Sequence, residues 1–221
     1  MLYRYVLFAH FLLVNVIALG FAAAAYLQGW LDPIVNAPLI ELSGVIALVF
    51  LYGVLLAAYR VWQTSREATD VQDGQVRRGT PSGDYVAALT GDDVRAREKA
   101  EQVLRLRLSN RIVAVRHFAN ALVFLGLIGT VIGFIIALSG VDPNAASDAA
   151  KVGAMVATLI SGMSVALNTT LVGSILYVWL IVNHRILSTG TVNLLTQSMQ
   201  MDAGAATLAG DLGYAPPRAA Q

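Results

Sequence analysis

Two apolar stretches decide the fold: HFANALVFLGLIGTVIGFIIALSG (117–140) and KVGAMVATLISGMSVALNTTLVGSILYVWLIVNHR (151–185). Each is longer than the roughly 20 apolar residues that an α-helix needs to cross a bilayer. Because only a short polar segment joins them, the pattern predicts two antiparallel membrane helices. Both stretches also carry hydroxyl side chains and glycines deep within the apolar run, which sets them apart from simple membrane anchors.

The remainder of the chain has the same apolar character. The 221 residues are 57% hydrophobic and only 13% charged, with a mean hydropathy of +0.64. Soluble domains carry about 25% charged residues. Two further apolar runs, 5–27 and 39–59, are each long enough to span a membrane. We therefore predict an all-α integral membrane protein with four transmembrane helices, of which helices 3 and 4 are long and extend into the cytoplasm.

The basic residues indicate how these helices are oriented. Residues 60–116 contain eleven of the fifteen Lys and Arg residues. Since cytoplasmic segments are enriched in Lys and Arg, this region and both termini are expected on the cytoplasmic side. The same distribution explains the basic residues better than nucleic-acid binding does. Cysteine is absent, which excludes disulfides and thiolate sites.

Four segments follow from this topology. Residues 1–62 hold the peripheral transmembrane helices 1 and 2, and residues 63–116 a cytoplasmic loop and basic helix. Residues 117–187 form the core helices 3 and 4, and 188–221 form a cytoplasmic tail. Within the second segment, 64–93 is predicted to be a loop with short helical pieces, and from Asp92 a single helix continues into the third span. The tail is predicted to fray after about Met201.

Small and polar residues recur at helical spacing in the two core helices. Small-residue stripes allow membrane helices to approach closely, so we predict that the core glycines mediate helix packing. These are Gly126, Gly129 and Gly133 in the third helix and Gly162 and Gly173 in the fourth. The hydroxyl and amide groups indicate a surface that meets water, ions or a polar partner helix. The candidates are Thr130, Ser164, Asn168 and Thr170.

No Asp, Glu, Lys or Arg lies in the middle of any of the four apolar runs. A protein that carries protons alone normally holds an acid in mid-membrane. If this protein handles ions, the carrying carboxylate is therefore expected to come from another chain. Neither a nucleophile–base pair nor a cluster of metal ligands is present, so enzymatic activity, a metal and a cofactor are not expected.

The segment LGLIGTVIGF (125–134), followed by a TxxG pattern from Thr170 to Gly173, resembles the MotA/TolQ/ExbB proton-channel family over residues 95–185. The resemblance implies a homopentameric ring in a bacterial inner membrane. Two single-crossing helices of a MotB/TolR/ExbD-type partner dimer would lie inside it and supply the ion-carrying aspartate. It also implies that Thr130 and Thr170 face the lumen of the ring. The implied function is an ion-driven motor, with H⁺ or Na⁺ as the transported ion.

Two departures leave the branch and the ion open. TolQ- and ExbB-like members typically have three crossings and a glutamate where this chain has Val165. Four crossings resemble the flagellar MotA branch, which usually lacks the threonine of the GT pattern. The alternatives are a four-helix membrane scaffold without ion conduction and, with less support, a small transporter working alone. In the motor hypothesis, a cytoplasmic partner is expected to dock on the basic helix at Arg95, Arg97 and Arg105.

Overall fold

The computed structural model describes residues 6–29, 40–72, 79–89, 94–141 and 149–211, and they form five helices. The helices are α1 (Val6–Leu27), α2 (Ile40–Gln72), α3 (Pro81–Leu89), α4 (Val94–Ser139) and α5 (Ala149–Asp211). Four of the five, α1, α2, α4 and α5, are long and apolar enough to cross a membrane, which confirms the predicted number of spans.

Two long helices run on where the sequence predicted a loop and a frayed end. α2 continues past the second apolar run to Gln72, so the loop predicted over 64–93 is wrong for its first part. The buried residues Val61, Thr64 and Val71 recur at helical spacing, and their burial holds the extra turns. α5 continues to Asp211, so the predicted fraying after Met201 is also wrong. The last turns are rich in alanine, the strongest helix former.

The short helix α3 and the start of α4 agree with the predicted pattern. α3 begins with Pro81 in the first helical position, where a missing backbone N–H costs nothing. Thr80 caps it, since its hydroxyl accepts a hydrogen bond from the backbone N–H of Gly83 at 3.1 Å. α4 is one unbroken helix from Val94 into the third apolar run, as predicted; Asp92 itself lies outside the described residues.

The chain divides into two compact units. The first comprises Met1–His10, Tyr59–Val113 and Ile186–Gln221. Its apolar core joins four helices through Val71, Tyr85, Leu104, Leu108 and Leu194. One turn from Val71 and Leu108, a buried ion pair joins α2 to α4. Arg111 donates two hydrogen bonds to the carboxylate of Glu67, at 2.7 and 3.1 Å, and each side chain is 5% exposed.

The second unit comprises Phe11–Ala58 and Ala114–Arg185. Aromatic side chains of α2 pack edge-to-face on the core helices, with ring centroids 5.1 Å apart for Phe50 and Trp179 and 4.9 Å apart for Tyr52 and Phe118. Many large apolar side chains of this unit are exposed, especially on α1. That exposure is expected where lipid or another chain, rather than water, surrounds the helices.

Candidate functional site

Glycines bring the backbones of α4 and α5 into close contact. A β-carbon on Gly133 would lie 2.6 Å from the backbone nitrogen of Ala166 and 2.6 Å from the carbonyl oxygen of Gly162. One on Gly173 would lie 2.8 Å from the carbonyl oxygen of Leu122. Residues with higher numbers in α4 contact residues with lower numbers in α5, so the two helices are antiparallel. We call this contact the α4–α5 interface.

The remaining glycines of this interface have the same role. A β-carbon on Gly126 would be 3.2 Å from the carbonyl oxygen of Thr169, and one on Gly129 would meet the Thr169 side chain. The Thr169 hydroxyl donates within its own helix, to the carbonyl oxygens of Val165 and Ala166 at 3.0 and 3.1 Å. The interface is therefore tight and the Thr169 hydroxyl within it is satisfied inside its own helix, which leaves the edge of the interface as the place for chemistry.

Thr130 and Thr170 meet at that edge. Their hydroxyl groups are hydrogen-bonded to each other, and both lie within reach of the Gly126 carbonyl oxygen, at 3.1 Å from Thr130 and 3.2 Å from Thr170. Thr130 is half-buried and Thr170 is exposed. The absence of a side chain at Gly126 lets α5 come close enough for the contact. We call these two residues the threonine pair.

A count of protons shows what the threonine pair can bind. Three oxygen atoms, two hydroxyl and one carbonyl, share two hydroxyl protons and, at the carbonyl, the helical N–H of Thr130. Each hydroxyl can donate once and accept twice, and the carbonyl oxygen accepts twice. Whichever way the two protons point, acceptor capacity is left over. The group can thus accept a hydrogen bond from an acid or offer oxygen ligands to a small cation.

Ser164 and Asn168 do not lie beside the threonine pair. The Asn168 amide nitrogen lies 3.5 Å from the Ser164 hydroxyl, so these two share one face of α5. At about 100° per residue, they lie about 160° (Asn168) and 120° (Ser164) away from Thr170 around the helix. The structure therefore presents two separate polar faces on α5 where the sequence suggested a single set.

The three candidate docking arginines lie in the first unit, on α4. Arg105 donates two hydrogen bonds to Glu101 of the preceding turn, at 2.7 and 3.0 Å, and both side chains stay largely exposed. Arg95 is exposed and Arg97 is half-buried. A surface pair of this kind contributes little to stability, so Arg105 is available to a partner at small cost.

Sequence reasoning did not identify the strongest polar contact between α1 and α5. The amides of Asn15 and Asn183 donate to each other, at 2.7 and 3.3 Å, and the Trp179 indole donates to the Asn15 oxygen at 2.9 Å. Asn15 thus bonds to a neighbouring helix, whereas the His10 ring bonds to the Val6 carbonyl of its own helix.

The buried pair Glu67–Arg111 was also missed. The signal in the sequence was the helical spacing of these residues. On α4, Arg111 continues the buried stripe of Leu104 and Leu108. On α2, Glu67 lies between the buried Thr64 and Val71. A charge on the buried stripe of an amphipathic helix must be paired. The partner, however, lies 44 positions away in sequence.

Comparison with known proteins bears on the α4–α5 region. A family model described as the MotA/TolQ/ExbB proton channel family matches residues 86–201, a range that contains the threonine pair and all five interface glycines. No curated protein and no solved structure matches the chain. The family match confirms the resemblance seen in the sequence.

Proposed function

The chain belongs to the MotA/TolQ/ExbB proton channel family, whose model covers more than half of it, and from that premise we propose that it is a ring subunit of an ion-driven membrane motor. Copies of the chain, five by analogy with the family, surround a dimer of a single-crossing partner of the MotB/TolR/ExbD type. The assembly sits in a bacterial inner membrane with both termini in the cytoplasm. Ion flow between ring and partner drives rotation or other mechanical work.

The observation that carries this proposal is the threonine pair, in a chain whose spans contain no acid at mid-membrane. A hydroxyl can both donate and accept, so it can serve an aspartate in either protonation state. It accepts a hydrogen bond from the protonated carboxyl group and donates one to the carboxylate after the proton has left. Thr130 and Thr170, with the Gly126 carbonyl between them, thus supply the polar surface that the partner's acid requires in an apolar setting.

The proposed ion is the proton. Val165, at the position where TolQ- and ExbB-like members have a glutamate, is 1% exposed and packed within the protein. The ring therefore offers neutral oxygens and no second acid at this level. Na⁺ is the alternative, since hydroxyl and carbonyl oxygens also suit hard cations.

The test is ion flux through the complex reconstituted into vesicles. The chain is co-purified with the single-crossing partner, and flux is followed with an internal pH dye, with and without a Na⁺ gradient. Thr130→Val and Thr170→Val keep the side-chain shape but remove the hydroxyl. Since hydrogen bonds to charged groups contribute about 1.5–3 kcal/mol, each change should reduce flux by roughly 10- to 100-fold.

Thr158→Val is the matched control. Thr158 lies on the same helix and its hydroxyl donates to the Ala154 carbonyl of its own helix at 3.1 Å, so its loss should leave flux unchanged. A membrane scaffold of four helices without ion conduction is the alternative function. The observation in its support is that both threonine hydroxyls already have an acceptor within the chain, the Gly126 carbonyl oxygen. An assembled complex that conducts neither H⁺ nor Na⁺ would establish the scaffold and refute the motor.

A further inference from the structure

A polar face extends along α5 from the threonine pair toward the basic end of the core helices. Ser174, Tyr177 and His184 follow Thr170 by 4, 7 and 14 positions. At 3.6 residues per turn, all four fall within about 40° of one line along the helix, which the apolar Ile181 interrupts between Tyr177 and His184. Ser174 is exposed, whereas Tyr177 and His184 are half-buried. We call Thr170, Ser174, Tyr177 and His184 the α5 polar face.

α4 supplies polar groups at the same end. Asn120 is exposed and precedes Thr130 by ten positions, which is about 15 Å along the helix. Arg116 lies one turn further along α4 and is also exposed. Since α4 and α5 are antiparallel, both groups lie on the same side of the threonine pair as the end of the α5 polar face.

The His184 imidazole ends this polar face with an unused hydrogen-bonding atom. Its Nε2 is buried and has no hydrogen-bond partner among the described residues. Buried polar atoms without a partner are rare and call for an explanation such as water or function. The other two histidines differ: His10 bonds to the Val6 carbonyl, and His117 is exposed. His184 alone combines a buried free nitrogen with a place on the line that begins at Thr170.

We propose that His184 is a proton relay of the ring chain, which transfers protons between the threonine pair and the aqueous phase at the basic end of α4 and α5. This inference rests on the proposed motor function. A proton arriving along water binds the Nε2 lone pair and gives an imidazolium. The Nδ1 proton then leaves to water on the other side, and tautomer exchange through water restores the starting state.

The charged surroundings suit release rather than storage of the proton. Arg185 follows His184 directly in α5, and Arg116 lies at the same end of α4. Residues 11–27 of α1 and 42–58 of α2 contain no Asp, Glu, Lys, Arg or His. These two ranges therefore offer no acid that could hold the imidazolium. The stretch from Thr170 to His184 is about 21 Å long, so water must join the side chains along it.

The test uses the reconstituted complex and the flux assay described above. Water can replace part of a relay, so His184→Gln should lower proton flux by about tenfold, less than the 10²- to 10⁴-fold typical of a positioned acid–base group. His184→Ala should be impaired similarly, and added imidazole should restore its flux. His10→Gln is the matched control and should conduct as the native chain does. Imidazole should not rescue Thr130→Val.

Each remaining outcome decides between the two proposals. Unchanged flux in His184→Gln, with Thr130→Val impaired, would refute the relay and leave the motor standing. A loss in His184→Ala that imidazole cannot restore would show that His184 is a packing residue, and it too would refute the relay. Flux carried by Na⁺ alone would have the same consequence. A native complex that conducts no ion would refute the motor itself.

Discussion

Replacing Gly133 by alanine tests whether α4 and α5 must touch through their backbones. The added β-carbon would lie 2.6 Å from two backbone atoms of α5, the nitrogen of Ala166 and the carbonyl oxygen of Gly162. Comfortable carbon contacts need about 3.5–4.0 Å. The helices must therefore separate by about 1 Å, because backbone atoms cannot rotate away. Overpacking of this kind costs about 1–3 kcal/mol.

The separation should also reach the threonine pair. Thr130 lies three positions before Gly133, one helical turn away on the same helix. A shift of about 1 Å is enough to break the hydrogen bond between the two hydroxyls, since such bonds weaken steeply beyond normal length. Ion flux should therefore fall together with stability, although the substitution removes no polar group.

Stability is measured by unfolding the purified protein with SDS in mixed micelles, followed by circular dichroism. Gly153→Ala is the matched control: it also lies in α5, but a β-carbon there would meet no atom within 4 Å. Alanine favours the helix by about 1 kcal/mol over glycine, so the control should be neutral or stabilising. If Gly133→Ala unfolds at the same SDS fraction as Gly153→Ala, the close backbone contact is not a feature of the protein.

Three further predictions concern other contacts. Glu67→Gln leaves Arg111 buried without a counter-charge, so it should lower stability by about 3–5 kcal/mol in the same SDS titration. Replacing both residues by methionine should restore most of this loss. Equal losses for the single and the double variant would contradict the prediction. Asn183→Leu should lower stability by about 1–2 kcal/mol and expose α1 to proteolysis, unless the amide pair with Asn15 contributes nothing. Arg105→Ala should leave stability within about 0.5 kcal/mol but impair coupling to a cytoplasmic partner, and an unimpaired motor in cells would count against docking there.

The membrane spans were predictable because length and composition alone decide them. The glycine spacing also contained enough information to place α4 against α5, since small residues at every third or fourth position have few other uses in a membrane helix. The extension of α2 to Gln72 was harder to predict. Its buried stripe there includes Thr64, Glu67 and Val71, and a stripe that mixes polar with apolar residues reads as a loop when tertiary partners are unknown.

The details of the site depended on geometry between elements. The sequence grouped Asn168 with Thr170, although a spacing of two residues already places side chains on opposite sides of a helix. The pairing of Glu67 with Arg111 and of Asn15 with Asn183 depends on the register between helices far apart in sequence. Local propensity does not encode that register. The register between the helices is determined by the packing of all of them against one another.

The backbone contact between α4 and α5 restricts how this part of the molecule can move. Conformational switches require two packings of similar energy, usually reached by exchanging rotamers or sliding one ridge past another. At Gly126, Gly133, Gly162 and Gly173 there are no rotamers to exchange, and a slide of one residue would drive a side chain into backbone. The helix pair therefore has a single low-energy arrangement and behaves as a rigid frame. In the proposed motor, a cycle of motion coupled to ion binding would therefore take place outside this frame.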